Sequence, residues 1–487
     1  MARRPAAFLC ASLFAVSCAW AADPPPPGPP LTQPTRPQPT AFNTPPPKPV
    51  LSWEDMDRSY WIPAAEIVGF QFVLNRVDAA TQPSNDYDVT MDTVRTNLHT
   101  RWVVDGDPFS INQFLHPIQG NIYFGLARST GLGFGPALGY SLAGAALWEE
   151  AGEQTRPSIN DEVASGIGGA FLGEPLFRMA SLILENNHGW VQEIGAGILS
   201  PPLLLNRWAF GDRFDPVFRS HNPAVYSRLQ LGSSLLGNSH GNDRELKEDP
   251  INGDVIMAYG LPGKPGYTYD RPFDYFSFQF TASTANSFEN IFSRGLLVGA
   301  PYEAGDSYRG VWGLYGSYDY VAPQVFRVST TAASLGTTGQ WWLSRHVALQ
   351  TTALAGVGYG AAGNVGGSGS QHDYHYGVTP QELAELRLLL SNWVCIETTA
   401  RDYYVTASHA AQNQGAENIV RADLALTFRV YGMHGISVRY VLSERDAQYT
   451  GRPDRHQNVG VISVAYAYLG DSLFGAVDWR PAPERER

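Results

Sequence analysis

Cysteine and charge are scarce in this chain, and each shortage excludes a class of protein. Three Cys are present, and Cys10 and Cys18 lie in an N-terminal export segment, so Cys395 has no partner for an intramolecular disulfide. Charged residues make up only 16% of the chain, the formal net charge is -12, and no Lys/Arg stripe marks a nucleic-acid surface. The His-Glu-x-x-His and Gly-x-Ser-x-Gly signatures are also missing, which excludes the commonest zinc-peptidase and serine-hydrolase patterns.

The first residues form an export signal. Basic residues at positions 3 and 4 precede an apolar stretch from Ala6 to Trp20, and Ala19-Trp20-Ala21 supplies an A-x-A cleavage site. The sequence therefore predicts a cleaved signal peptide over residues 1–21. Lipidation at Cys18, which follows a weak lipobox, is the alternative.

A proline-rich linker and a helical region are predicted next. Residues 22–51 hold two short proline runs, which form neither helix nor sheet and act as an extended spacer. In residues 52–221 apolar residues recur at threes and fours, which predicts helices. Glycine recurs at every fourth position from Gly131 to Gly139 and again from Gly169 to Gly173, so we expect close helix packing through these small faces.

The second half of the chain alternates apolar residues with small or polar ones, as strands do. From Ile419 to Val430, Leu424 and Phe428 fall on one face and Arg421 and Asp423 on the other. A soluble β-sandwich produces the same alternation, but aromatic residues near the strand ends and the export signal favour a membrane barrel. About twelve strands are expected, starting near Val225, Asp254, Phe273, Ile291, Tyr308, Phe326, Val347, Tyr376, Asn392, Ile419, Ile436 and Val459.

The predicted fold is therefore mainly β with an α region. It is an antiparallel transmembrane β-barrel of about 12 strands over residues 222–470, preceded by the glycine-rich helical region and followed by a tail over residues 471–487. Such a barrel belongs in the outer membrane of a Gram-negative envelope, with outer-membrane lipid as its partner and the barrel-assembly machinery as a further candidate. A charge ladder is expected along the lumen from Arg401, Asp402, Arg421, Asp423, Arg429 and Arg439.

Polar residues inside the apolar helical region form the candidate site. The candidates for acid–base chemistry are His116, Glu149, Glu153 and Asp161, of which Glu149 and Glu153 would share one helix face. Candidate binding residues lie beside them: Arg128, Glu150, Ser158, Asn160 and Glu174. Together with His116, Glu149 and Glu153 could form a metal or acid–base constellation. Their spacing matches no known ligand motif, so no metal and no cofactor are expected. A buried structural network, in which Ser158 caps a helix, is the preferred interpretation, and ligand binding and catalysis are its alternatives.

A set of short motifs runs through residues 112–174. They are His116-Pro117-x-x-Gly120, Tyr123, Ala127-Arg128, the stretch from Ser141 to Trp148-Glu149-Glu150, Glu153 and Pro157-Ser158-x-Asn160-Asp161. Together they resemble an uncharacterised bacterial family known as a domain of unknown function. Members of that family look like secreted outer-membrane proteins in which this region precedes a predicted barrel. The resemblance implies a location and a layout but no activity.

Three functions stay open at this point. The first is passage or binding of a small or lipidic solute, with the helical region as a plug or a brace. The second is a membrane-embedded enzyme acting on lipid or lipopolysaccharide through His116 and one of the carboxylates, although the sequence does not decide whether the protein is an enzyme. The third is an envelope scaffold that uses the proline-rich linker. No nucleic-acid partner is expected, and the oligomeric state is open.

Overall fold

The computed structural model describes residues 53–477, except residues 83, 187–188, 242–249, 366–369, 408–414, 452 and 472. The predicted signal peptide and proline-rich linker lie outside the described residues, as does the chain after residue 477. Within the described part, helices fill the first portion of the chain and strands fill the second.

The helical region, called the bundle below, is built from α-helices and two π-helical segments. In the described residues the main helices are α1 (Trp61–Thr81), α2 (Met91–Asn97), α3 (His116–Ser129), α4 (Phe134–Ala151), α5 (Gly169–Asn186), α6 (Trp190–Leu199) and α7 (Pro201–Phe210). A π-helical segment at Ile111–Leu115 leads into α3. A helical turn at Ile159–Asp161 and a second π-helical segment at Glu162–Gly168 lead into α5. Such segments are rare and occur frequently at functional sites.

Twelve antiparallel strands close into a barrel, in the order β1-β12-β11-β10-β9-β8-β7-β6-β5-β4-β3-β2. They are β1 (Val225–His240), β2 (Ile251–Tyr259), β3 (Phe276–Ser283), β4 (Asn290–Ala304), β5 (Tyr308–Val321), β6 (Phe326–Ser344), β7 (Val347–Asn364), β8 (Tyr374–Leu390), β9 (Val394–Thr406), β10 (Gly415–Tyr431), β11 (His434–Tyr449) and β12 (Arg455–Leu469). The predicted barrel of about 12 strands is confirmed. The end where β1 begins and β12 ends is called the terminal rim, and the opposite end the distal rim.

Side chains that meet across the barrel identify its interior face. Arg228 of β1 pairs with Glu397 of β9, and Tyr403 of β9 donates a 2.9 Å hydrogen bond to Asp319 of β5. These strands are not neighbours, so the contacts cross the lumen. Because successive residues of a strand point to opposite faces, Tyr318 lies on the outer wall.

The bundle packs against this outer wall. Tyr318 Oη donates a 2.5 Å hydrogen bond to the carbonyl of Gln113, and Ser293, which pairs with Tyr318, donates a 2.6 Å bond to the carbonyl of Phe171. The Phe171 ring lies directly over Gly316, where any side chain would meet it. The described helices therefore lie outside the lumen. The expected role as a plug is wrong for them, and the position they take is that of a brace.

The lumen is instead closed at the terminal rim by residues that follow β12. The carbonyl of Phe474 accepts a 3.0 Å hydrogen bond from Arg387 Nη2, and that of Gly475 accepts a 2.8 Å bond from Gln350 Nε2. Arg387 also pairs with Glu397 at 2.9 Å. A segment predicted as a tail thus folds up under the barrel and fills its opening.

The predicted charge ladder is present in part. Arg401, Arg421 and Arg439 surround the carboxylate of Asp423 in the lumen. Asp402 pairs in register with the outward-facing Val420, so its assignment to the ladder is wrong. Adjacent residues of a strand cannot share a face, and Arg401 already points inward.

Close packing of α3 against the start of α5 depends on glycine. A Cβ at Gly120 would lie 1.8 Å from the carbonyl oxygen of Ser165, and one at Gly169 would lie 2.6 Å from the Gly120 backbone. Gly135 and Gly139, by contrast, have no atom within 4 Å of a Cβ position. The expectation of close packing is therefore wrong for these two members of the first glycine repeat, which lie on α4, whereas a Cβ at Gly131, before α4, would lie 2.8 Å from Met56.

Candidate functional site

Three of the four acid–base candidates come together at helix ends. His116 begins α3, Glu149 lies in the last turn of α4, and Asp161 precedes the π-helical segment that leads into α5. One ligand-type atom from each lies within 4.8 Å of the other two, and all three side chains are buried. His116 Nε2 is 3.8 Å from Asp161 Oδ1. This group is called the His–carboxylate cluster.

Neutral hydrogen-bond partners orient each member of the cluster. The imidazole Nδ1 is 3.2 Å from Ser165 Oγ. The backbone N–H of Ser158 donates a 2.8 Å bond to Glu149 Oε2, and Asn160 Nδ2 donates a 3.0 Å bond to Asp161 Oδ1. The Ser158 hydroxyl also accepts from the Asp161 N–H at 3.2 Å, so the predicted helix cap is present within the same cluster.

A second layer connects the cluster to the barrel. Asp105 accepts hydrogen bonds from Asn160 at 2.8 Å and from Asn112 at 2.6 Å. Asn160 and Asn112 also donate to the hydroxyls of Tyr376 and Tyr374 of β8, each at 3.0 Å. Asp105 and both tyrosines were not among the residues predicted from the sequence. Tyr376 is 216 residues from Asn160, so no local spacing could have linked the two.

Burial removes water from all three cluster members and so disfavours the charged form of each. The neighbouring carboxyl groups of Glu153 and Asp105 add to the cost of a negative charge on Glu149 or Asp161. Two carboxyl groups at this position would therefore need bound protons or a cation beside them.

Glu153 and Glu150 lie outside the cluster. Glu153 accepts hydrogen bonds from the Trp148 indole at 2.6 Å and from the Thr155 hydroxyl at 2.9 Å. Glu150 accepts a 3.1 Å bond from the indole of Trp102. Helix α4 ends at Ala151, two residues before Glu153. Contrary to the expectation, Glu153 therefore does not share a helix face with Glu149.

Arg128 and Glu174 belong to a second buried group, called the Arg–Glu cluster. Arg128 donates two hydrogen bonds to Glu174, at 2.7 and 3.0 Å, and Arg178 donates a third at 2.8 Å. Arg178 also pairs with Asp274, in the connection between β2 and β3, at 2.9 Å. This cluster joins α3 and α5 to the terminal rim of the barrel, which indicates a structural role.

A cavity of about 550 Å³ opens at the distal end of the lumen and is called the vestibule. Among the residues that line it, Gln230, Asp254 and Asn290 each have a buried polar atom without a hydrogen-bond partner in the described part of the chain. Arg439 pairs with Asp254 at 3.5 Å at the base of this cavity. The vestibule thus offers polar groups to a small solute above a closed lumen.

Part of the bundle matches a known family. Residues 101–202 match the family described as Domain of unknown function (DUF3943). The matched stretch contains helices α3 to α6 and the whole His–carboxylate cluster, and it includes the motifs on which the resemblance was based. No curated protein matches the chain.

Several solved barrels are weakly similar to the chain. The NanC porin structure is 9% identical over 49% of this chain and 98% of its own, with a TM-score of 0.25. The translocator domain of the autotransporter NalP from Neisseria meningitidis is 15% identical over 50% and 86%, with a TM-score of 0.22. The outer membrane channel DcaP of Acinetobacter baumannii is 7% identical over 50% and 96%, also at 0.22. Likeness this weak assigns neither an activity nor a solute.

Proposed function

We propose that this protein is an outer-membrane barrel that does not conduct solutes in the state described and that anchors the helical bundle within membrane lipid. In this proposal the function resides in the bundle and not in the lumen. The observation that carries the proposal is the reversed polarity of the outer helices of the bundle, whose exposed faces carry large apolar residues while polar side chains are buried beneath them.

Helix α1 has this reversed polarity most clearly. Its buried face includes Gln71 and Asn75, which donate hydrogen bonds to the carbonyls of Gly144 and Gly152 at 2.6 and 2.8 Å. The large apolar residues on its exposed face are Trp61, Val68, Phe72, Val73 and Val77, and Phe72 is 67% exposed. A helix in water buries its apolar face, so this arrangement favours an apolar solvent. With 21 residues, α1 is about 31 Å long, close to the hydrocarbon thickness of a bilayer.

The last two helices of the bundle repeat the pattern. Asn206 and Arg207 of α7 are buried, whereas the exposed apolar residues of α6 and α7 are Trp190, Val191, Ile194, Leu205, Trp208 and Phe210. Among the described helices, Ile159–Glu185 is long and apolar enough to cross a membrane, but 83% of its most apolar window is buried within the protein. The apolar surface of the bundle therefore comes from the helices around this central one.

The bundle extends along the barrel from one rim to the other. Tyr259 at the terminal rim donates a 3.0 Å hydrogen bond to the carbonyl of Ser220, and Tyr374 at the distal rim donates a 2.5 Å bond to that of Asp107. Between the rims, the rest of the outer wall exposes apolar residues, among them Leu231, Trp312, Leu335, Leu386, Leu424 and Val438. The apolar surfaces of bundle and barrel are thus at one level, which supports a single lipid-facing belt.

The closed lumen supports the non-conducting half of the proposal. The segment at Phe474 and Gly475 fills the terminal rim, and the ion pair between Arg228 and Glu397 crosses the interior above it. Free passage of solute through the lumen would require these groups to move. Binding of a small solute in the vestibule stays a prediction.

Depth-dependent fluorescence quenching tests the location of the bundle. In a Cys395→Ala background, a fluorophore is attached at Phe72→Cys on α1, at Val438→Cys on the barrel, or at Asp92→Cys on exposed helix α2, and the protein is inserted into vesicles that contain brominated lipid. We expect strong quenching at positions 72 and 438 and little at 92. Quenching at 438 without quenching at 72 would contradict lipid around the bundle, and quenching at neither position would contradict a membrane barrel.

Planar-bilayer recording tests the closed lumen. The wild-type protein is expected to be silent, whereas removal of residues 470–487 together with Glu397→Ala should give steady channels, since both barriers are then lost. The matched control is the same truncation with Asp402→Ala, which removes a carboxylate from the outer face of the same strand and should open far less often. Steady conductance by the wild type would refute this part of the proposal.

A further inference from the structure

Charge balance separates the His–carboxylate cluster from the rest of the bundle interior. Glu149 is 6% exposed and Asp161 is 2% exposed. Within the described residues, no Arg or Lys lies within ion-pair distance of either carboxylate, and the basic side chain beside them is His116. Glu174, in the same bundle, is held by two arginines. Two buried carboxylates without a counter-cation are costly unless each binds a proton or both share a cation.

The donor atoms are arranged for a cation to replace those protons. All three lie within 4.8 Å of one another. Bonds from one Zn²⁺ to nitrogen and oxygen ligands are about 2.0–2.2 Å, so ligands on a common ion lie roughly 3–4 Å apart. A small contraction of the cluster would therefore bring all three donors onto one ion. A dication with two carboxylates and a neutral imidazole also carries no net charge, which suits a buried position.

The surrounding hydrogen bonds are those of a metal site. A metal-bound imidazole is usually held through its other ring nitrogen, and here Ser165 Oγ lies 3.2 Å from Nδ1, which leaves Nε2 towards Asp161. The carboxylates are held in turn by Ser158 and Asn160. Asn160 is fixed by Asp105 and Tyr376, so the orientation of the donors is set before any ion binds.

We propose that His116, Glu149 and Asp161 bind one divalent transition-metal ion of the zinc class. Three protein ligands leave a fourth position for water or a substrate group, which is the arrangement of catalytic rather than purely structural zinc sites. The proposal goes beyond the proposed function, because the ion can bind wherever the bundle lies. Failure of the quenching experiment would leave it intact, and its own failure would leave the membrane location intact.

Metal stoichiometry tests the proposal. Tag-free full-length protein, folded in detergent, is stripped with chelator, exposed to Zn²⁺ or Mn²⁺, desalted and analysed by elemental mass spectrometry. We expect one Zn²⁺ per wild-type chain, and its loss in His116→Ala, Glu149→Gln and Asp161→Asn. Ser165→Ala should weaken affinity by about 10- to 100-fold, as loss of a group that orients a ligand does elsewhere. Glu153→Gln is the matched control, since this half-buried neighbour lies outside the cluster, and it should retain the ion.

Several results would overturn the site. The first is that the wild-type chain retains no Zn²⁺, and the second is that the Glu149→Gln variant retains as much Zn²⁺ as the wild type. The third is that the wild type retains Mn²⁺ in place of Zn²⁺, which would refute an ion of the zinc class. If the variants do not fold, Co²⁺ added to the wild type replaces them as the test. A tetrahedral Co²⁺ absorption spectrum without a thiolate band would support the site, and a featureless spectrum would refute it.

Discussion

The bundle buries carboxylates in two ways, and the contrast indicates where function lies. In the Arg–Glu cluster, Glu174 is held by Arg128 and Arg178, which join α3 and α5 to the barrel. In the His–carboxylate cluster, Glu149 and Asp161 have only neutral partners. The first arrangement satisfies its charges internally and stabilises the fold. The second leaves its charges to be satisfied by protons or by a bound cation, which is typical of a binding site.

The largest difference in stability is expected when one carboxyl group is removed from each cluster. Glu174→Gln leaves two buried arginines with one fewer counter-charge and is expected to destabilise the bundle by about 3–5 kcal/mol. Glu149→Gln keeps an oxygen that accepts from Ser158 and, in the presence of chelator, should change stability by no more than about 1 kcal/mol. Urea unfolding followed by the helical circular-dichroism signal measures both.

Equal losses in the two variants would break the comparison, because Glu149 would then be as structural as Glu174. A control for general charge removal is Arg95→Ala. Arg95 pairs with Asp92 on the surface of α2, where both side chains are largely exposed. Its loss should cost less than about 1 kcal/mol.

A smaller effect is expected from the glycine that sets the geometry of the His–carboxylate cluster. A side chain at Gly120 would collide with the carbonyl of Ser165, the residue that lies against His116, so Gly120→Ala should cost about 1–3 kcal/mol and weaken metal binding. Gly139→Ala is the matched control, since Gly139 has open space around it and should be neutral or more stable by up to about 1 kcal/mol. The two variants are compared by urea unfolding and by Zn²⁺ titration.

Tight Zn²⁺ binding by a folded Gly120→Ala variant would show that the cluster does not depend on this helix crossing. Loss of stability in Gly139→Ala would mean that the space beside Gly139 is filled in the folded protein.

Much of the barrel could be predicted from the sequence, because strand alternation is a local property. The predicted starts of β1, β5, β6 and β7 coincide with the observed ones, and that of β10 is four residues late. Alternation does not say what covers the apolar face of a strand, since lipid and a packed helix both accept an apolar surface. The aromatic residues around Tyr318 were therefore consistent with lipid, and the structure covers them with the bundle.

The candidate site was predicted in composition but not in geometry. His116, Glu149 and Asp161 were identified because polar residues are unusual in an apolar stretch. Glu153, Arg128 and Glu174 satisfied the same criterion and lie elsewhere. Composition cannot separate them, because the cluster forms where the start of α3, the last turn of α4 and the helical turn that ends at Asp161 meet in space.

By itself, the sequence determined the secondary structure of this protein, the closure of its strands into a barrel and the presence of polar groups in an apolar helical region. The secondary structure follows from periodicity, the barrel from periodicity together with the aromatic residues near strand ends and the export signal, and the polar groups from composition, all of which are encoded within each segment. Only the tertiary structure decided that the bundle lies outside the barrel, that the C-terminal segment closes the lumen, and that three of the polar residues converge. These depend on contacts between segments up to hundreds of residues apart, whose energies are set by the shapes and charges that meet there.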